Sequence, residues 1–475
     1  MSGREIVGRG AGAGVVAEVV AHGSGVDPDP RPHTVTDHLW VDGAPVAGLD
    51  LTDGDDPGAA LARVRGHFAL HRVTAGGEHV LARDPLGVNK LFYALTPGGV
   101  ESSNHWIDLV RRGHPSERVW SVPSGHVVHL DPARRRYSLV RYAEPIVAEG
   151  DPTGPDDVGE HAARVRDRLE ETFRMVAAVA AGRPVYVSLS GGLDSTTVAV
   201  LARELVGPFT AVTFAVDEGG PAGPGSRPDD DLTVAGRVAD DLGVPLLAVL
   251  ASPEEVLASV DDVLCDGQDW RDFNVHCGLV NAAVGRAVSA HAGPGPRPLL
   301  LTGDTMNELV ADYTPVVYRG REHYSLPRLA PAKLRRWLVT GLDSGDREVG
   351  VLARAGVDVV QPYALCADAY LAVPTGLVTS PGGKQALARE VMGDRVPPYV
   401  YERPKVRAQV GGEEVAGTLG VLVDRGSTAT RWPAASPRSS VSRWATSDAS
   451  SGRATTGSPS GTRSDVSDAT DVREG

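Results

Sequence analysis

The stretch VYVSLSGGLDSTTVAV, from Val185 to Val200, sets Ser190, Gly191, Gly192, Asp194, Ser195 and Thr196 between a strand-like run and a helix-like run. Gly191 and Gly192 allow close backbone approach, so amide N–H groups and a helix N-terminus can point at an anion. The hydroxyls of Ser190, Ser195 and Thr196 add donors. Asp194 is the odd member, because a carboxylate beside phosphate is repulsive unless a cation bridges them. The combination points to Mg²⁺ held between Asp194 and a polyphosphate. The Gly-Lys-Ser/Thr of an ordinary P-loop is absent, so this loop would hold its phosphate without that lysine. A capped, glycine-rich turn of purely structural use needs much less than this full six-residue string.

The elements that must position this loop are legible around it. Upstream, Val158, Ala162, Val165, Leu169, Phe173 and Val176 recur every three or four residues, as on one helix face. Strand-like runs (PVYVSLS, TAVTFAV, VPLLAVL, PLLLTGD) then alternate with helix-like ones (TTVAVLARELV, LTVAGRVADDLG, EEVLASVDDVL). Near-continuous apolar strands between amphipathic helices argue for a parallel sheet covered on both faces. The stretch from there to about Val423 reads as helical and caps the sheet. Before residue 148 the rhythm differs: GHFALHRV, HVLARD, LFYAL and GHVVHLD alternate with Gly/Pro/Asp turns, as in an antiparallel β domain. The expected organisation is an α/β chain with a β-rich domain over 1–148, a linker over 149–157, a parallel-sheet domain over 158–425, and a disordered Ser/Thr/Arg/Gly-rich tail over 426–475.

Bulk properties narrow the function. A chain of 475 residues with 41% hydrophobic side chains can build two cores. Its 47 basic and 61 acidic residues give a formal charge of -14, which repels nucleic-acid phosphate and argues against a nucleic-acid partner. Cys265, Cys277 and Cys366 lack CxxC spacing, so neither a disulfide framework nor a zinc site is expected, and a reducing cytoplasm fits. MSGREIVGRG has no apolar signal-like core, and no run is long enough to span a bilayer. A cytoplasmic protein without a membrane partner is expected, with room for a homo-oligomer.

SGGLDS resembles the pyrophosphate-binding loop of the asparagine synthase-like ATP pyrophosphatases, and further motifs follow in order. LTGDTMNELVADY (Leu301 to Tyr313), GVDVVQPYALCADAY (Gly356 to Tyr370), GGKQALAREVM (Gly382 to Met392) and YERPKVRAQVGG (Tyr401 to Gly412) resemble that family's later signatures. RDPLGVNKLFYAL (Arg83 to Leu95) resembles a motif of its N-terminal domain. The resemblance covers about Gly66 to Val423. It implies a glutaminase-like, N-terminal-nucleophile-type β domain followed by an adenine-nucleotide α-hydrolase-like domain. It also implies a reaction in which a carboxylate attacks the α-phosphate of MgATP, releasing pyrophosphate, and an amine then displaces AMP to form an amide. The missing P-loop lysine then makes sense, since pyrophosphate is the group the loop cradles. The resemblance assigns catalytic roles to Lys405 and Glu308, and nucleotide contacts to Ser188, Ser190, Gly191, Gly192, Asp194, Ser195, Thr196, Phe214, Gly303, Lys384 and Arg403. Asp194, Glu308 and Asp304 are the implied Mg²⁺ ligands.

Several positions depart from the family pattern. The usual metal-binding Asp falls at Asn307, Asp304 stands where Glu is usual, Leu365 replaces the Asp of PFLD, and Gln361 alters the approach to it. An aspartate-specific pocket is therefore not expected. The chain starts MSG where glutamine-hydrolysing members start MetCysGly, so processing would expose Ser2, and the β domain is expected to be a scaffold that makes no ammonia. A synthetase lacking a glutaminase resembles the β-lactam synthetases and lasso-peptide cyclases of specialised metabolism, in which proximity does the work of ammonia delivery. Tyr363, Tyr313 and Tyr318 are candidates for a tyrosine in the acceptor site, and His276 and Cys277 are expected to open a helix beside it. Amidation of a carboxylate by ammonia, and a non-catalytic scaffold, are the competing readings.

Overall fold

The computed structural model describes residues 15–18, 38–41, 43–46, 57–74, 76–144, 151–152, 157–219, 225, 228, 230–313, 315–343, 347–403, 410 and 417–424. Ser2, Lys405 and the tail beyond 425 lie outside them. The fold class expected from the sequence is the one observed: α/β, with an antiparallel β-rich part followed by a parallel-sheet part.

In the β-rich part, a four-stranded antiparallel sheet runs in the order Arg136–Arg141, His126–Asp131, His79–Arg83, Ala69–Val73. Successive side chains of a strand point to opposite faces, and here both faces of the inner strands are apolar. Val80, Ala82 and Val127 join Leu39 and Phe68 in one core. Leu81, Val128 and Leu130 join Tyr93 and Val122 in another. Two three-stranded sheets supply those partners, one around His38–Val41 and one around Phe92–Thr96. The RDPLGVNK motif forms a turn wound around two side chains. Asp84 accepts from the backbone N–H of Val88 (2.9 Å) and Asn89 (3.0 Å), and Arg83 donates to the carbonyls of Gly87, Asn89 and Val122. The turn delivers Lys90 to the next layer, where its ammonium donates to Leu342 O at 2.6 Å.

The second part is built on a parallel sheet with the order Val15–Glu18, Leu246–Ala251, Thr210–Val216, Val185–Ser188, Leu299–Leu301, Asp358–Val360. The edge strand Val15–Glu18 comes from the region that the sequence pattern assigns to the β domain, and it pairs in parallel with Leu246–Ala251. The other five strands run 3-2-1-4-5 in chain order, so the sheet reverses its winding between Val185–Ser188 and Leu299–Leu301. Crevices outside the carboxyl ends of strands at such a switch point are where open α/β sheets bind ligands. The helix Val158–Ala180 buries Ala162, Val165, Leu169, Phe173 and Val176, the face its periodicity predicts. It also ties the two parts together: its Met175 carbonyl accepts from Trp40 Nε1 at 3.0 Å. Among the described residues no helix is long and apolar enough to cross a membrane.

Candidate active site

The SGGLDS loop leaves the strand Val185–Ser188 and enters the helix Leu193–Leu201 at the switch point. Its hydroxyls fold the loop on itself: Ser190 N–H donates to Ser195 Oγ (3.2 Å), and Ser195 Oγ donates to Gly192 O (3.1 Å). Gly191 adopts φ +70, and a Cβ there would fall 2.6 Å from Val234 Cγ1; only glycine meets both demands. On the neighbouring strand's end, a Cβ on Gly303 would approach Ser195 N to 3.1 Å. The two signature loops therefore pack backbone against backbone, which is why the second signature also carries a glycine.

Lys384, from the helix Gly383–Met392, reaches into this junction. Its ammonium contacts Asp194 Oδ2 (2.7 Å), Asn307 Oδ1 (3.0 Å) and Asp312 Oδ2 (3.1 Å), and the side chain is 6% exposed. Burial works against its charge, but the two carboxylates outweigh it and hold the ammonium above the usual lysine range. The second oxygen of Asp194, Oδ1, is buried with no hydrogen-bond partner. From the other side, Arg403 donates to Ser190 O (3.0 Å) and to Asp231 Oδ1 (2.6 Å). Burial pushes the Asp231 carboxyl up to about 6, even with Arg403 beside it.

These groups line a cleft of about 240 Å³, with Ser188, Ser190, Gly192, Asp194, Ser195, Gly303, Asp304, Lys384 and Arg403 all in its wall. Most of the expected nucleotide residues are thus brought together. Gly191, Thr196 and Phe214 are not in the cleft wall; Phe214 and Thr196 are buried in the packing of the sheet and its first helix, and Gly191 packs against Val234 beneath the loop. Lys405 lies outside the described residues.

Asp304 and Glu308, expected as metal ligands, instead share a buried cation. Arg347 makes a two-pronged contact with Asp304 (3.1 Å on each prong) and donates to Glu308 Oε1 at 2.9 Å, an oxygen that also accepts from Tyr313 at 2.6 Å. Burial would raise the Glu308 carboxyl, but Arg347 and Tyr313 overcome it and hold it below the usual range. Among the described residues no group of three His, Cys, Asp or Glu side chains is arranged to hold a metal. The neighbouring carboxyl, Glu348, is shifted the other way. Burial, and then the Asp304 charge, push it well above the usual range, while Gln361 Nε2 donates to it. Nothing in GDREVG marks Arg347 and Glu348 in the sequence, since they belong to a short charged run, Asp346 to Glu348, without a motif.

The same residues bound a second cleft of about 230 Å³. Phe273, Asp304, Arg347 and Glu348 line both. The helix Asp272–Ala292 opens here, as expected; His276 Nδ1 pairs with Tyr324 OH at 2.8 Å and Cys277 lines the first cleft. Of the tyrosine candidates, Tyr313 lines the second cleft and Tyr363 supports the loop through a 3.0 Å bond to Asp194 O. Tyr318 lies on the short strand Val316–Tyr318, outside both cleft walls.

A parallel sheet with a glycine-bent loop and a helix N-terminus at its switch point defines an α/β protein with a cleft suited to an anionic ligand. Residues 164–342 match the asparagine synthase family, and the chain carries an asparagine synthase-like domain. It is similar to the carboxyethyl-arginine beta-lactam-synthase of Streptomyces clavuligerus, at 24% identity over 386 residues, covering 77% of this chain and 69% of that protein. Both likenesses point to the ATP-dependent, amide-forming ligases of that family. Among solved structures, NMN synthetase from Francisella tularensis aligns over 58% of this chain and 84% of its own, with 14% identity and a TM-score of 0.28. Glutamine-dependent NAD+ synthetase from Acinetobacter baumannii aligns over 40% of this chain and 32% of its own, with 19% identity and a TM-score of 0.23.

Proposed function

We propose that the protein adenylates a carboxylate with ATP, releasing pyrophosphate, and couples the acyl group to an amine without a glutaminase of its own. The observation that carries this reading is the junction of the SGGLDS loop with Lys384 at the switch point. It presents a helix N-terminus, hydroxyl donors and a buried ammonium on one side of one cleft. Such preorganised positive charge favours the negative charge that develops on departing pyrophosphate. A magnesium ion fits on the orphaned oxygens: Asp194 Oδ1 and Glu308 Oε2 are both buried without a hydrogen-bond partner, and Asp194 Oδ1 is the one in the nucleotide cleft. Bound there, it would neutralise phosphate charge and so aid attack at the α-phosphate. Asp304 and Glu308 act instead through Arg347, fixing the wall between the clefts.

The opposite shifts of Glu308 and Glu348 divide their roles. Paired carboxyls pushed apart in proton affinity commonly mark a charge-holder and an acid. Glu348, the one that holds its proton, is therefore assigned the proton-donor role in the wall that both clefts share, and Gln361 orients it. The likeness to a β-lactam-forming enzyme favours an amine carried by the substrate itself, in ring closure or amide ligation within specialised metabolism, in a cytoplasmic enzyme.

The test is ATP–pyrophosphate exchange by the full chain against a panel of carboxylic acids, with and without ammonia or glutamine. Exchange supported by an acid and abolished by Asp194→Ala is expected. If no carboxylate supports exchange and ATP does not bind, the reading fails. Glutamine hydrolysis lost in Ser2→Ala would overturn the scaffold role given to the β domain.

A further inference from the structure

The second cleft carries information about the acid. Its wall carries an aromatic and aliphatic patch, Phe273, Tyr313, Tyr324, Trp337, Leu326 and Leu338, among polar and charged side chains. The aromatic part is rigid. Phe273 stands edge-on to Tyr313 (centroids 5.3 Å apart, 80°) and to Tyr324 (5.4 Å, 85°), and the Arg347 guanidinium lies 5.0 Å from its centroid. Tyr324 is held by His276 and sits at φ +60, a left-handed backbone that a bulky residue keeps only where its surroundings enforce it. Strain of this kind clusters at binding sites.

The charges in the same wall are engaged with the protein. Arg347 is divided between Asp304 and Glu308. Arg271 is clamped on Asp269, with its Nε 3.0 Å from either oxygen. Lys90 donates to Gly87 O and Leu342 O, both at 2.6 Å. Of the remaining acidic groups, Asp272 stands at the start of its helix and repels a further anion, and Glu348 accepts from Gln361. A small dicarboxylic amino acid that reacts through one carboxylate brings a second, and each cation of the described wall already donates to oxygens of the protein.

We propose that this cleft seats the acid substrate, and that it takes a carboxylic acid with an aromatic or flat apolar body in preference to a small dicarboxylic amino acid. The proposal rests on the ligase reading above. The shared residues Phe273, Asp304, Arg347 and Glu348 make the two clefts neighbours, so an acid lying on the aromatic wall has its carboxylate directed toward the nucleotide cleft. Trp337, 46% exposed, lines the second cleft and not the first.

The experiment is pyrophosphate exchange with 4-phenylbutyrate, L-aspartate and L-glutamate, alongside direct ATP binding. The aryl acid is expected to show a KM at least about 10-fold below that of either amino acid. Trp337→Ala is expected to raise that KM by roughly 5–10-fold with little change in kcat, and Trp337→Phe to restore it. Preference for aspartate or glutamate, or ATP binding without exchange by the aryl acid, overturns this inference and leaves the ligase reading standing. An unchanged KM in Trp337→Ala also overturns it. Absence of ATP binding overturns the ligase reading first, and this inference with it.

Discussion

Arg347 is the sharpest place to test how the two clefts are held. Arg347→Met keeps much of the side chain's bulk and removes the guanidinium. Two carboxylates then lose their partner, Glu308 at 5% side-chain exposure and Asp304 at 29%. Leaving a buried charge uncompensated costs about 3–5 kcal/mol, whereas the part-exposed Asp304 adds only ~1 kcal/mol after solvent screening. The Glu308 side of the pair therefore dominates, and the total is roughly 4–6 kcal/mol. Unfolding entropy of ~2.1 cal/mol/K per residue, for roughly 400 residues melting together, converts this to a fall of about 5–7 °C in Tm. Calorimetry of the wild type, Arg347→Met, Glu308→Gln and the double variant checks it. The double variant should melt above Arg347→Met, because the orphaned charge has been removed. The pH slope should also invert. In the wild type the Glu308 carboxyl is depressed, so its contribution is present above its ordinary pKa and lost as pH falls. In Arg347→Met burial, the largest effect, is opposed only by the Tyr313 and backbone hydrogen bonds and raises that carboxyl, so stability should improve as pH falls. A Tm shift under about 1 °C, or a double variant no better than the single, would refute this account of the wall.

Three further outcomes are expected. Gly191→Ala combines a positive φ with a 2.6 Å approach to Val234 Cγ1, so it should destabilise by about 1–3 kcal/mol and weaken ATP binding, with Val234→Ala relieving part of the loss; chemical denaturation and nucleotide titration read both. Burial lowers His38 and His276 to about 4 and His67 to about 3, so these rings fold neutral, and stability should fall as pH drops from 6.5 toward 4; melting against pH, flattened in His67→Asn, checks this. Asp231 runs the other way: raised to about 6, its contribution is present at low pH and is lost as pH rises through that value, so Asp231→Asn should remove a downward slope between pH 4 and 6 and loosen the Arg403 bridge to the nucleotide loop.

The sequence by itself determined the local features. Chain-neighbour patterns carry them: period 3.6 for the helix Val158–Ala180, apolar strands for the parallel sheet, and glycines at Gly191 and Gly303 where backbones had to touch. The loop's cargo site was legible for the same reason, since one contiguous string holds the hydroxyls, the glycines and Asp194. The fold alone decided which charges meet. Lys384 lies 190 positions from Asp194 in the chain, and Arg347 lies 39 from Glu308. Electrostatic pairing depends on separation in space and on burial, neither of which periodicity records. That is why Glu308 and Asp304 read as metal ligands from their motif and are held by an arginine in the structure. It is also why the burial of Phe214 and Thr196 could not be read from the loop and strand patterns. The aromatic wall of the second cleft draws Phe273, Tyr313, Tyr324 and Trp337 from separate segments, so only the packing of the β-rich turn and the helices against the sheet's end could bring it into being.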